Sequence, residues 1–351
     1  MSVDVLIVGQ GLAGSLLAWE LRRQGFSVVV VDNGAENASQ VAAGLINPVT
    51  GQRLVKTQRV DDLLPAARSC YRELGAGFKQ EFFVSLPMSR LLKNAKERQL
   101  AEQRLRDPAY QDYLLAINDN ETGWYSPHGV LKQRQTGYLR TRPLLRCLRE
   151  FFIANGCYRQ ANFEYVNITL QPTLQWCDVQ ARHVVFCEGH LAGSNPWFGK
   201  LPFQPAKGEI LACQTMANLP ANMLNYGYWL VPDREQGFKT GATFETDFTD
   251  SRPSDRAKTR LLDALHQHCP QLSPLELVEH AVGIRPATLD KQPFIGTHPR
   301  LANMHIFNGF GAKGSLAIPW YAKRFAAYLK QQEPLPEHCN IKRYHDTHFA
   351  G

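Results

Sequence analysis

The sequence predicts an α/β protein: a parallel sheet flanked by helices, joined to a second, α+β domain built on an antiparallel sheet. Three observations predict it. Two apolar strands separated by a Gly-rich turn and a helix fill the first 32 residues. From Lys207 to Phe248, short strands alternate with turns. A strand, a Gly-rich loop and a helix then follow one another between Met304 and Lys330. At 351 residues the chain exceeds what one hydrophobic core usually serves, so two domains are expected.

Val3–Val8 is apolar, short and β-rich, bounded by Gly9. Leu12–Gln24 reads as a helix, with Gly25 as its C-terminal stop. Ser27–Val31 is a second buried strand ending at Asp32. Strand, helix and strand within about thirty residues imply parallel pairing through a right-handed crossover. Gln52 to Arg106 reads as helical, with mixed charge and few breakers. Thr141 is the expected N-cap of a helix that opens with Arg142-Pro143 and ends at Asn155-Gly156. Strands are expected at Glu164–Leu170, Arg182–Cys187, Glu209–Cys213, Tyr228–Val231, Lys239–Phe244 and Met304–Phe307. Helices are expected at Arg256–His268 and Ser315–Lys330.

Composition narrows the class. Apolar residues make up 44% and charged residues 20%, values of a globular chain rather than a disordered or collagen-like one. No run of about 18 uncharged apolar residues is present, so no membrane span is expected. The start of the chain has neither a basic segment nor a cleavage site, so no secretory signal is expected. Eight cysteines without a C-x-x-C pair point to reduced thiols in a cytoplasm, with no metal site. The net charge of +7 allows nucleic acid, acidic substrates or neither.

Gly9-Gln10-Gly11-Leu12-Ala13-Gly14 is a G-x-G-x-x-G between a strand and a helix. Gly9 permits the tight turn, Gly11 admits a pyrophosphate and Gly14 lets helix and strand pack closely. With Leu12 and Ala13 it opens a helix whose N–H groups and dipole favour phosphate. Asp32, followed by Asn33, ends the next strand, where a carboxylate accepts ribose hydroxyls and repels a 2′-phosphate. The ligand is then FAD or NAD in a Rossmann-like domain. Ser39-Gln40-Val41-Ala42-Ala43-Gly44 is small enough to lie flat on a cofactor, with Ser39 offering phosphate a hydroxyl; it also reads as an ordinary loop.

In Gly283-Ile284-Arg285-Pro286, the proline holds Arg285 extended. Its fork suits a substrate carboxylate, and equally an internal ion pair. Gly309-Phe310-Gly311-Ala312-Lys313-Gly314 precedes the last helix and forms a second anion site, one that suits a flavin edge made negative by reduction. Lys313 either adds charge there or is a solvated surface residue. No acid or base is read as catalytic, and His128, His280 and His305 are read as structural.

The order of these motifs, with Lys207-Gly208-Glu209, Gly241-Ala242-Thr243 and Gly283-x-Arg285-Pro286-x-Thr288-x-Asp290-x-x-Pro293-x-Ile295-Gly296, resembles the D-amino-acid oxidase/glycine oxidase/sarcosine oxidase family over the whole chain. The resemblance implies an FAD domain of the p-hydroxybenzoate-hydroxylase type, assigned to residues 1–75, 138–205 and 276–351. An antiparallel substrate domain is assigned to 76–137 and 206–275. It implies oxidation of a C–N bond of an amino acid or secondary amine, with hydride passing to flavin N5 and the imine hydrolysing in water. Oxygen or another acceptor would reoxidise the flavin.

By the same resemblance Arg285 holds the substrate carboxylate, Cys187-Glu188-Gly189 lies beside the cofactor and Val166 offers backbone to adenine. Trp229, beside Tyr228, stands where relatives carry a substrate-facing Tyr. No cysteine lies between Gly283 and Gly296, so FAD is expected to be non-covalent. The terminal loop also resembles the FAD domain of the bifunctional enzyme of 5-methylaminomethyl-2-thiouridine biosynthesis in tRNA, which implies oxidative removal of a carboxymethyl group from a wobble uridine. Residues 90–150 carry 12 Lys/Arg against 7 Asp/Glu, a basic face or a solvated one. A flavin-binding protein without turnover is the remaining alternative.

Overall fold

The computed structural model describes residues 1–119, 124–233 and 237–349. The first sheet runs Tyr158–Gln160, Val28–Asp32, Ser2–Val8, Val179–Phe186, then Gln175–Trp176 and Ile168–Thr169. Met304–Asn308 also lies parallel to Val179–Phe186, and Phe294–Thr297 pairs antiparallel with it. The four central strands are parallel, in registers such as Val5↔Val28 and Val8↔Phe186. The runs Val5–Val8 and Val28–Val31 are apolar throughout because both faces of the sheet are covered there. Helices Leu12–Arg23, Thr141–Ala154 and Gly314–Leu329 cover one face through Leu16, Leu17, Leu148, Leu316 and Phe325. Aromatic residues Phe186, Phe198 and Trp176 pack the other.

The second sheet runs Leu275–Arg285, Ala206–Thr215, Gly237–Gly241, Trp229–Pro232, Met223–Asn225, Met88–Leu91, Val130–Gln133 and Leu114–Asn118. Its pairs are antiparallel except Met223–Asn225 with Met88–Leu91. Helix Asp255–His268 buries Leu261 and Leu265 against one face, on Leu211, Leu230 and Phe238. The opposite face is left to roof a cavity.

Several elements differ from expectation. The stretch read as helical from Gln52 holds helices Val60–Phe78 and Ala95–Arg106, but strands Phe83–Ser85 and Met88–Leu91 lie between them. The buried Met88–Leu91 is captured by the second sheet, a long-range pairing that overrides local propensity. Glu164–Leu170 is not one strand but a 3-10 turn, Tyr165–Asn167, and two strand residues. Tyr165 turns inward onto Phe163 and Trp197, which bends the chain. Thr141 is not an N-cap: Arg140 holds that position, and the Thr141 hydroxyl donates to the Ala42 carbonyl. The expected domain limit at 276 falls at the start of Leu275–Arg285, a strand paired along its length with Ala206–Thr215 of the second sheet.

Candidate active site

A cavity of about 700 Å³ opens between the carboxyl ends of the parallel strands and the free face of the second sheet. Val8, Asp32, Cys187 and Asn308, each ending or following a parallel strand, line it. This is where open parallel sheets bind ligands.

The fingerprint builds one end. Gly9 has φ +100, and a Cβ there would stand 2.6 Å from the Cys187 carbonyl oxygen. A Cβ on Gly14 would stand 1.9 Å from the Gly9 carbonyl oxygen. Gly14 therefore shapes the turn without lining the cavity, while Gly9, Gly11, Leu12 and Ala13 line it. Gly11 caps the helix and brings no side chain. The Leu12 N–H donates to Ser39 Oγ at 3.0 Å. Asp32 accepts the Gln10 N–H at 2.8 Å and the Gly34 N–H at 2.7 Å. A bare helix N-terminus, a turn that excludes side chains and a strand-end carboxylate fit the diphosphate and ribose of a dinucleotide.

Asn33, Ser39, Ala42, Ala43 and Gly44 line the same end as a strap. Its short helix, Ala38–Val41, is closed by a capping box between Asn37 and Gln40. Glu188 and Gly189 also line the cavity. The Glu188 carboxylate accepts from Tyr165 Oη at 2.6 Å and Asn195 Nδ2 at 2.8 Å. Burial raises its pKa, against the lowering effect of those two bonds.

The other end belongs to the second sheet, whose strands supply Gly208, Ile210, Asn225, Trp229 and Arg285. Arg285 donates from Nη1 to the Thr243 carbonyl at 3.2 Å and stands 5.8 Å from the Phe244 ring. Among the described residues no carboxylate pairs with it. The expected alternative, an internal ion pair, is therefore not formed there. Burial pushes its pKa down, as an uncompensated cation requires.

The terminal loop brings Gly311, Ala312, Lys313 and Gly314 to the wall. Gly311 N–H donates to the Pro286 carbonyl at 3.1 Å, locking this loop to the Arg285 segment. Lys313 is exposed at the rim; desolvation and then Lys291 lower its pKa. Gly309, at φ +81, packs on Thr288 and Phe294 instead of lining the cavity.

Besides Gly14 and Gly309, two further expected residues are not at the wall. Val166 is 90% exposed, and its neighbours Glu164 and Tyr165 line the cavity instead. Tyr228 lies on the far side, against Tyr226 and 5.8 Å from Arg260. Side chains alternate across a strand, so adjacent residues 228 and 229 cannot share a face. Sequence reasoning missed Asn47, Met88, His190 and Asn225, which also line the cavity. His190 follows Gly189 directly and could have been read from that motif, whereas Met88 and Asn225 are brought here by strand pairing, which nothing local marks.

The chain matches the family described as FAD dependent oxidoreductase, DAO, over residues 4–328. It is 26% identical over 375 residues to the bifunctional protein ThiO/ThiG of Trichormus variabilis, covering 98% of this chain and 55% of that protein. It is 23% identical over 357 residues to the glycine oxidase of Pseudomonas aeruginosa, covering 95% of this chain and 97% of that one. It is 24% identical over 365 residues to the tRNA 5-methylaminomethyl-2-thiouridine biosynthesis bifunctional protein MnmC of Idiomarina loihiensis, covering 99% of this chain and 59% of that protein. The chain thus spans little more than half of the bifunctional relatives. Its fold superposes on a glycine oxidase from Geobacillus kaustophilus with a TM-score of 0.83 at 20% identity, covering 95% of this chain and 96% of that one.

Proposed function

The chain belongs to the DAO family of FAD-dependent oxidoreductases, and we propose that it oxidises the C–N bond of a small amino acid or N-substituted amine bearing a carboxylate. The observation that carries this is Arg285, a partly buried guanidinium at the cavity wall without a carboxylate partner among the described residues. Non-covalent FAD, when bound, supplies the two-electron acceptor that turns the amine into an imine, which water hydrolyses.

The chain's own residues position the reactants. Gly9, Gly11 and the helix that follows would receive the diphosphate, and Asp32 the ribose hydroxyls. Arg285 would hold the substrate carboxylate through two N–H groups. Trp229 and Ile210 would bound the side of the substrate and exclude water. Among the described residues the second sheet brings no titratable side chain other than Arg285 to the wall. No base on that side would take the amine's proton, so the amine would arrive neutral. A wall shared by Arg285 and Trp229 supports turnover over a flavin-storage role.

The test is anaerobic mixing of the holoprotein with amino acids and N-alkyl amino acids while the flavin band is followed. Bleaching by a carboxylated amine is expected. If only amines without a carboxylate bleach it, the substrate class is wrong.

A tRNA substrate, the second reading, draws on the MnmC likeness but finds little support in the charge distribution. Four of the twelve basic residues between 90 and 150 pair with carboxylates of the chain: Arg90 with Glu97, Arg98 with Asp119, Arg142 with Glu279 and Arg149 with Asp32. It predicts tRNA affinity that falls steeply with salt.

A further inference from the structure

One face of helix Thr141–Ala154 touches each segment at the fingerprint end of the cavity. Near its start, Arg142 donates from Nη2 to Glu36 at 2.8 Å and from Nε to the Gln40 carbonyl at 3.0 Å. The same guanidinium grips Glu279 through Nη2 at 2.6 Å and Nη1 at 3.2 Å. Glu36 and Gln40 belong to the strap, and Glu279 to the Leu275–Arg285 edge strand of the second sheet. Thr141 holds the strap's far end through the Ala42 carbonyl. The strap is pressed onto that strand, because a Cβ on Gly283 would stand 3.2 Å from Ala38 Cα.

One turn on, the Leu145 carbonyl accepts from Gln10 Nε2 at 3.1 Å. One turn further, Arg149 Nε donates to Gln10 Oε1 at 2.7 Å, and its Nη2 stands 3.7 Å from Asp32 Oδ1. Gln10 is the variable residue of the G-x-G turn, yet it is 1% exposed and also bonded to Ser15. Residues 142, 145 and 149 are spaced i, i+3, i+7, so they share a helix face.

We propose that Arg142 and Arg149 are cofactor-positioning residues that act at two separate points. Arg149, through Gln10 and Asp32, sets the acceptor that meets the adenosine ribose. Arg142 latches the strap over the bound cofactor and sets how fast it leaves. The division follows from the contacts. Arg149 reaches the fingerprint turn and the ribose acceptor, with its guanidinium 5.8 Å from the Tyr158 ring, whereas Arg142 bonds both the strap and the edge strand of the second sheet. This clamp rests on the family's cofactor and not on the substrate proposed above, so a wrong substrate class would leave it standing.

The experiment uses holoprotein and substrate-free apoprotein with FAD as the probe, read by flavin fluorescence. Arg142→Met and Glu279→Gln should each speed FAD release about tenfold, with Arg142→Lys in between. Arg149→Met should weaken equilibrium binding of FAD about tenfold, while leaving affinity for an analogue without adenosine ribose hydroxyls unchanged. If Arg149→Met does not fold, Arg149→Lys, which keeps the charge but loses the Nε donor, carries the same comparison. Unchanged release in Arg142→Met and Glu279→Gln would overturn the latch. Equal weakening of FAD and analogue would reduce Arg149 to a structural prop and overturn its positioning role.

Discussion

The Arg285 guanidinium lies across Gly208: a Cβ at residue 208 would stand 2.3 Å from Nη2 and 2.5 Å from Cζ. The two residues sit on neighbouring strands, where Gly208 pairs with Gly283, two residues from Arg285. The missing side chain is what lets the fork lie flat at the cavity wall.

Gly208→Ala should therefore push Arg285 aside at little cost to folding, since the atoms in the way end a flexible side chain. We expect KM for a carboxylated amine to rise about tenfold or more, with FAD affinity unchanged. Steady-state kinetics beside a flavin titration check this, and an unchanged KM would contradict it.

Arg285 is kept at a cost to stability. Its charge is partly desolvated without an acidic partner among the described residues. Arg285→Met should stabilise the protein by about 0.5–2 kcal/mol while abolishing turnover of carboxylated amines. Urea unfolding of both proteins with FAD present is the measurement, and a destabilised variant would argue that the guanidinium is a structural tie.

Gly14→Ala should destroy cofactor binding. The new methyl would meet the rigid Gly9 carbonyl oxygen at 1.9 Å, so helix and strand must separate. Overpacking of this kind costs about 1–3 kcal/mol. The purified variant should be colourless and melt at a lower temperature; a yellow protein of normal stability would contradict the packing.

His305 makes stability fall in acid. Burial holds it to a pKa of about 3, against 6.5 in the unfolded chain. Below pH 6.5 the unfolded state takes up a proton that the folded state refuses, so acid favours unfolding down to about pH 3. At pH 5 the loss is about 2 kcal/mol. His305→Asn should flatten the change in urea midpoint between pH 7.5 and pH 5. An equal change in both proteins would place the acid sensitivity elsewhere.

Turnover should rise with pH. Without a base on the substrate side, kcat/KM should follow the fraction of neutral amine and shift with the pKa of the amine used. A pH profile that stays put across amines of different pKa would reveal a titrating group on the protein.

What the sequence determined by itself is what depends on neighbours along the chain. Gly9, Gly11 and Gly14 mark a turn whose conformation is local, Asp32 follows from the strand's end, and Pro286 keeps Arg285 extended. Each can be read within a few residues, and the family resemblance follows from their order. Tertiary structure decided what depends on pairing. It turned Trp229 inward and Tyr228 outward, drew Met88 and Asn225 into the cavity wall, and set Arg142, Leu145 and Arg149 against strap and fingerprint more than a hundred residues away. It also set the partners of the positive charges: Arg142 is satisfied by Glu36 and Glu279, whereas among the described residues Arg285 meets a carbonyl and a ring and no carboxylate. A charge is legible in a sequence, but its partner is not, because the partner is chosen by which strands and helices pack together.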